Sequence, residues 1–300
     1  MKLLLDKLDP VGLEQKDKAT LLDCIKLAIY KKYGLTVVKL LVDKLDKAGL
    51  EKEDKATLLA CVRLAINEDY KDVAVVKPFV DKLDKAGLEK EDKATLLACI
   101  NLALKKKYDS AFVKLLGEKL DAKGLDQKYK TTLVTCVQFA ITKKYDEAVV
   151  KLLGEKLDQA FPDLEAKELV ACVRPAIALG SLDIVMFFIE KVGVNSKFIY
   201  GKTNINNGET PLIIATKYCK PDIVEYLLEQ GADKELKNDR GKTALDLAQA
   251  LHEAEVKRVK KGKKVKKGKK EKFEKIIKLL KPYKAVIQGY DGLNVPAAAE

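Results

Sequence analysis

The sequence predicts an all-α solenoid of about seven stacked helix pairs, and three observations predict it. Five cysteines recur at positions 24, 61, 99, 136 and 172, at intervals of 37, 38, 37 and 36 residues. Four positions after each comes an alanine: Ala28, Ala65, Ala103, Ala140 and Ala176. About ten residues further on comes an apolar run: VVKLL (37–41), VVKPF (75–79), FVKLL (112–116), VVKLL (149–153) and IVMFF (184–188). A period of about 20 to 50 residues signals stacked units rather than one globular core. The composition agrees: 47% of residues are apolar, aromatics are 6% and Trp is absent. Such a chain is too apolar for disorder and favours helix over strand.

Each unit reads as two helices. In the first, Leu21, Cys24, Ile25 and Ala28 follow i, i+3, i+4, i+7 spacing and form one buried stripe. In the second, Val37, Val38, Leu40, Leu41 and Leu45 do the same. Gly49, Gly87 and Gly124 are expected to close the second helix, since glycine suits a left-handed end residue. Pro78 and Pro175 are expected to kink or shorten their helices. Small Cys and Ala side chains on the inward face let neighbouring helices approach closely, with the free thiol acting as a small hydrophobe. Disulfides and zinc are disfavoured. Adjacent units should sit about 8–10 Å apart, a disulfide needs Cα atoms within about 7 Å, and zinc needs several ligands at one centre. Five unpaired thiols fit a reducing compartment.

The family signal is concentrated near the C-terminus, in NGETPLIIATKYCKPDIVEYLLEQGADKELKNDRGKTALDLAQA (207–250). Gly208, Thr210, Pro211, Leu212 and Ala215 fit the opening helix of the ankyrin repeat. Ile223, Val224, Leu227 and Leu228 fit its second helix, and Gly231, Ala232, Asp233 and Asp239–Gly241 fit the finger that follows. The stretch resembles an ankyrin repeat and the start of the next, with Ile213 where the family usually has histidine. Ala215 and Ala248 continue the alanine series, so the upstream units resemble divergent ankyrin repeats of 36–39 residues against 33. The excess is assigned mostly to the second helix, and the upstream finger shrinks to links such as LEKED.

The resemblance implies an ankyrin-like solenoid with one or two short finger hairpins near the C-terminus. Its expected organisation is an N-terminal half-repeat cap (1–16), five long divergent repeats (17–192), a repeat with a finger (193–242), and a C-terminal repeat (243–284) interrupted by a Lys-rich insertion. Residues 285–300 form a tail.

Opposite the Cys/Ala stripe the first helices carry a second i, i+4 ladder: Lys26/Tyr30, Arg63/Asn67, Asn101/Lys105, Gln138/Thr142, Arg174/Ala178 and Ile213/Lys217. The inward positions repeat and these vary. Family resemblance makes them part of a concave surface that binds a protein partner; the alternative is a solvated face. Tyr33, Tyr70, Tyr108 and Tyr145 form a further ladder at the turn between helices, where a ring can pack while its hydroxyl reaches water or backbone. The pairs before them are Lys31-Lys32, Glu68-Asp69, Lys106-Lys107 and Lys143-Lys144; the acidic pair interrupts any basic ridge along that edge.

The formal net charge is +12, but ten basic residues lie in KRVKKGKKVKKGKK (257–270), leaving 47 basic against 45 acidic elsewhere. These ten are Lys257, Arg258, Lys260, Lys261 and Lys263, then Lys264, Lys266, Lys267, Lys269 and Lys270. The run is expected to insert between the two helices of the last unit and to stay extended and mobile through self-repulsion. Three readings stand for it: a solvated loop, an import signal or nucleic-acid contact, or an attraction to an anionic membrane or acidic protein. No aromatic interleaves the lysines, which disfavours base stacking.

Nothing suggests an enzyme. The one histidine, His252, has no partner base in the sequence, and no phosphate-binding glycine motif or Cys/His metal spacing occurs. No catalytic residue, metal or cofactor is expected. No uncharged stretch approaches the roughly 18–20 residues a membrane span needs, and Asp6 interrupts the first apolar run too early for a signal peptide. The chain reads as a monomeric, intracellular protein-interaction scaffold, cytoplasmic, with nucleus or host-cell cytosol open. Its lysine-rich repeats also resemble those that intracellular bacteria deliver as effectors into host cells. The competing class is a nucleic-acid- or membrane-associated adaptor working through 257–270.

Overall fold

The structure is a computed structural model, and it describes residues 15–33, 35–47, 54–69, 73–83, 88–164, 166–198, 208–260 and 268–281. Its helices come in consecutive pairs. The first pair is α1 (Gln15–Tyr30) with α2 (Leu35–Lys47), and the second is α3 (Asp54–Asn67) with α4 (Val73–Asp81). Then come α5 (Lys90–Lys105) with α6 (Ser110–Lys119), α7 (Lys130–Thr142) with α8 (Glu147–Ala160), and α9 (Ala166–Leu179) with α10 (Leu182–Val192). The last are α11 (Pro211–Lys217) with α12 (Pro221–Glu229), and α13 (Ala244–Lys260) with α14 (Lys269–Leu280). Within a pair the two helices pack on each other. Between pairs, first helices touch first helices in the order α1, α3, α5, α7, α9, α11, α13, and second helices follow the same order in a parallel layer. The result is a two-layer solenoid of seven described helix pairs, and the all-α fold class read from the sequence is correct.

The inward stripe of the first helices holds the stack together. Cys61, Cys99, Cys136 and Cys172 are buried with Ala65, Ala103, Ala140 and Ala176. The Cys99 thiol points at the Leu59 carbonyl, 4.0 Å away on α3, and Cys172 at the Val134 carbonyl, 3.9 Å away on α7. Each cysteine therefore faces the preceding unit. That explains a departure from the sequence reading: Cys24 is exposed, because it belongs to the first described unit. Leu27 is also 54% exposed there.

The turn inside each pair is built the same way. Lys32 N–H donates to the Ile29 carbonyl at 3.0 Å and Tyr33 N–H to that of Ala28 at 2.9 Å. Lys107 and Tyr108 repeat these bonds to Leu104 (3.3 Å) and Ala103 (3.0 Å), as do Lys144 and Tyr145 to Ile141 (3.1 Å) and Ala140 (2.9 Å). This double bond from left-handed and following residues is the Schellman helix end. Lys32, Asp69, Lys107, Lys144 and Cys219 all take positive φ, and Gly180 holds the place in the fifth unit. The five-residue spacing from the stacking alanine to tyrosine is thus the length of this motif. The tyrosine side chains diverge: Tyr33 is exposed, Tyr108 is buried, and Tyr145 keeps a buried hydroxyl with no hydrogen-bond partner rather than one reaching water or backbone.

Several expectations about helix lengths and ends need correcting. The excess length of the upstream units lies largely in the first helix: α1 and α5 have 16 residues against 7 in α11. Residues that would build a finger are wound into the first turns of the helix instead, as in α5, where Glu89 and Asp92 form a capping box. Among the described residues α8, with 14 residues against 9 in α12, shows a five-residue excess in the second helix, and α2, with 13, one of four. Helix α4, which contains Pro78, has just 9 residues, whereas α9 runs through Pro175 over 14. Gly124 does not close α6, which ends at Lys119; it sits beyond in a turn with φ of 79°. Gly49 and Gly87 lie outside the described residues, as do Tyr70, the 1–14 part of the proposed cap and the 285–300 tail.

The finger of the sixth unit begins where Phe198 and Glu209 pair in an antiparallel bridge, with Phe198 N–H donating to the Glu209 carbonyl at 2.9 Å. It packs against the next finger so closely that a Cβ on Gly208 would lie 2.2 Å from Asp239 Oδ1.

The second-helix layer has its own close contact. The segment KLLGEKL occurs at 114–120 and 151–157, and its glycines lie inside helices. A Cβ on Gly154 would fall 2.5 Å from Cε1 of Phe187 on α10, and one on Gly117 would fall 2.9 Å from Cδ2 of Leu152 on α8. Alanine gains about 1 kcal/mol of helix propensity over glycine, while overpacking costs about 1–3 kcal/mol. The rigid Phe187 ring cannot yield as Leu152 can. Gly154→Ala should therefore lose roughly 1 kcal/mol net in urea denaturation, and Gly117→Ala should be neutral or stabilising; equal effects at the two sites would contradict this packing.

Candidate functional site

The stacking stripe leaves the opposite face of the first helices uncovered, and two hollows open on it. One, of about 330 Å³, is lined by Arg63 and Asn67 from α3, Asn101 and Lys105 from α5, and Tyr129 and Thr132 from the start of the next unit. Its floor is made of small or apolar residues, Ala94, Leu97 and Ala98 among them. The other, of about 490 Å³, is lined by Gln138 from α7, Val170, Ala171, Arg174 and Ala178 from α9, and Tyr218. Seven of the predicted ladder residues thus line hollows on this face: Arg63, Asn67, Asn101, Lys105, Gln138, Arg174 and Ala178.

The remaining ladder positions differ. Lys26 pairs with Asp23 at 3.1 Å on the open turn of α1, beside Tyr30, which is 58% exposed. Thr142 is exposed, and its hydroxyl donates back to the Gln138 carbonyl at 2.9 Å. Ile213 is buried in the core, so its place in an exposed ladder was wrong; α11 is short, and its first turn is covered by the finger. Lys217 is bonded to the buried Glu209 carboxylate and serves to anchor the finger. Tyr129, Thr132 and Tyr218 were missed. An aromatic in the polar link LDQKYK (125–130) was the available signal for Tyr129. Tyr218 carried one as an exposed aromatic at a helix end, where its hydroxyl accepts from Arg174 Nε at 3.4 Å.

The face has a definite electrostatic character. No Asp or Glu lines either hollow. Arg63 lies close enough to Cys99 in the next unit, and Lys105 to Cys136, for each cation to favour the thiolate. Burial dominates all the same and pushes the Cys61, Cys99, Cys136 and Cys172 thiols up to about 12. These cysteines are inert packing groups at neutral pH. In the floor of the first hollow, the buried Asn101 Oδ1 has no hydrogen-bond partner.

The Lys-rich run is less extended than expected. Lys257, Arg258 and Lys260 form the last turn of α13, where cations complement the helix dipole, and Lys269 and Lys270 begin α14. Lys269 and Arg258 both bond the buried Glu255, and Lys270 lies 3.5 Å from Glu274. Lys261, Lys263, Lys264, Lys266 and Lys267 lie outside the described residues. His252 packs between α13 and α14 with Nε2 3.4 Å from Glu274. Among the described residues no group of three or more His, Cys, Asp or Glu side chains could hold a metal ion, and no helix is long and apolar enough to cross a membrane.

A model of the family described as "Ankyrin repeats (3 copies)" matches residues 169–264, from α9 into the Lys-rich run. Residues 169–264 belong to the ankyrin repeat family. Ankyrin repeats are in general protein–protein interaction modules. The chain is also 34% identical over 84 residues to ankyrin repeat and SAM domain-containing protein 6 of Rattus norvegicus, a match covering 28% of this chain and 9% of that protein. The chain therefore spans about a tenth of the curated relative it matches. The crystal structure of the ankyrin repeat domain of Bcl-3 aligns over 85% of this chain and 96% of that one, at 17% identity and a TM-score of 0.43.

The buried thiols give the helical stack a testable pH dependence. Their ionisation is raised in the fold above the ordinary value, so their stabilising contribution is complete below about pH 8.5 and is lost as pH rises towards 12. Between pH 8 and 10.5 the parent chain should lose roughly 4–5 kcal/mol more stability than a Cys99→Ala/Cys136→Ala variant in urea denaturation. Equal losses would contradict their burial.

Proposed function

We propose that the chain binds a protein partner through the uncovered face of its first helices and performs no chemistry of its own. The observation that carries this reading is the pair of hollows lined by residues that differ from unit to unit, beside a stacking stripe that repeats. A structure under packing constraint alone keeps its inward positions alike and leaves the outer face convex or filled. Here the outer face carries two separate recesses with polar walls, one across the α3, α5 and α7 units and one across the α7 and α9 units. Seven units supply ample area for an interface of about 800 Å² per partner. The ankyrin character of residues 169–264 supports the same reading. The Lys-rich run is the less favoured contact, because Arg258, Lys269 and Lys270 are engaged with Glu255 and Glu274 of their own unit.

Photo-crosslinking side chains installed at Asn67 and Thr142 should capture a common protein from lysate, whereas one at the exposed Ala111 of α6 should not. Capture should persist when residues 261–267 are deleted. Adducts formed only from Ala111, or lost with the deletion, would contradict the reading.

A further inference from the structure

The two hollows share a chemistry that narrows the partner. Although basic and acidic residues nearly balance outside the Lys-rich run, the walls of both hollows carry Arg63, Lys105 and Arg174 and no carboxylate. Other cations of the array are paired with carboxylates in both layers: Lys151 with Glu147 at 3.0 Å and Lys191 with Asp158 at 2.7 Å on second helices, and Lys130 with Glu168 at 2.6 Å on first helices. Among the described residues Arg63 and Lys105 have no such carboxylate, and the Tyr218 hydroxyl accepts from Arg174 Nε at 3.4 Å beside the second hollow. Asn101 lines the first hollow with Arg63 and Lys105.

Resting on the binding face argued above, we propose that its occupant is an acidic, extended segment of a protein partner. Its carboxylates meet Arg63, Lys105 and Arg174 in turn. The spacing suits it. Neighbouring first helices are about 8–10 Å apart, and an extended chain advances about 3.3 Å per residue, so a carboxylate every third residue reaches one unit per step. From Arg63 on α3 to Arg174 on α9 is three steps, or about nine extended residues. Small residues in the lining, Ala94 and Ala98 in the first hollow and Ala171 in the second, leave room for a backbone.

The test uses the full chain with Lys257, Lys260, Lys263, Lys264, Lys266 and Lys267 changed to Gln, so that the run does not take up the probe. The probe is fluorescein-labelled poly-L-glutamate of about twenty residues, longer than the proposed reach, read by anisotropy at low ionic strength. This chain should bind it, and adding Arg63→Gln, Lys105→Gln and Arg174→Gln should weaken binding about tenfold or more while circular dichroism stays unchanged; salt should weaken it too. No binding before the triple change, or no loss after it, overturns the proposal. So does tighter binding of an oligo-dT of equal length that is lost with the same triple change, which would make the occupant a nucleic acid. If crosslinks from Asn67 and Thr142 reach a protein that poly-L-glutamate fails to displace, the binding face stands and the acidic occupant falls.

Discussion

The close approach of successive first helices is the constraint on which the structure depends. A helix can be stacked against copies of itself on both sides only if the contact row is thin. Cys61, Cys99, Cys136 and Cys172, each with an alanine one turn on, keep it thin while filling it with apolar volume. The cysteines reach back to a carbonyl of the preceding unit, so the row also registers one helix against the next. In the parallel layer Gly117 and Gly154 perform the same office by removing a side chain altogether. In the first described unit Cys24 and Leu27 are exposed.

With the contact row fixed, the rest follows locally. The alanine that spaces the stack is also the acceptor that closes its helix, through the backbone of the residue five places on. The turn within these units passes through a left-handed residue, and non-glycine side chains at Lys32, Asp69, Lys107, Lys144 and Cys219 accept that conformation. The opposite face takes no part in either task. Its side chains vary without disturbing the array, which is the condition for a surface that reads a partner.

Much of this was legible in the sequence. The cysteine and alanine intervals gave the unit, and the i, i+3, i+4 stripe gave its inward face, because a period is preserved even where residues drift. The ladder from Arg63 to Arg174 was found by geometry alone, as the helical positions opposite that stripe. Features without a period were harder. Tyr129 and Tyr218 reach the hollows from outside the ladder, one from a link and one from a helix end. Ile213 followed the ladder's spacing into a helix too short to present it, and Lys217 proved to be tied to Glu209 across a finger. The length of the first helices escaped because the same polar residues, such as KEDKAT (90–95), suit a loop or a capped helical turn, and only packing decides between them.

The account rests on the claim that small side chains set the distance between stacked first helices. The most direct test is to enlarge one of them. Ala103→Leu or Ala140→Leu places extra volume in a fully buried contact row, whereas Ala111→Leu adds the same volume at an exposed position on α6. Urea denaturation should show both buried variants losing about 1–3 kcal/mol with the exposed variant unchanged. If the buried leucines are accommodated without loss, the row does not set the spacing and the stacking account is wrong.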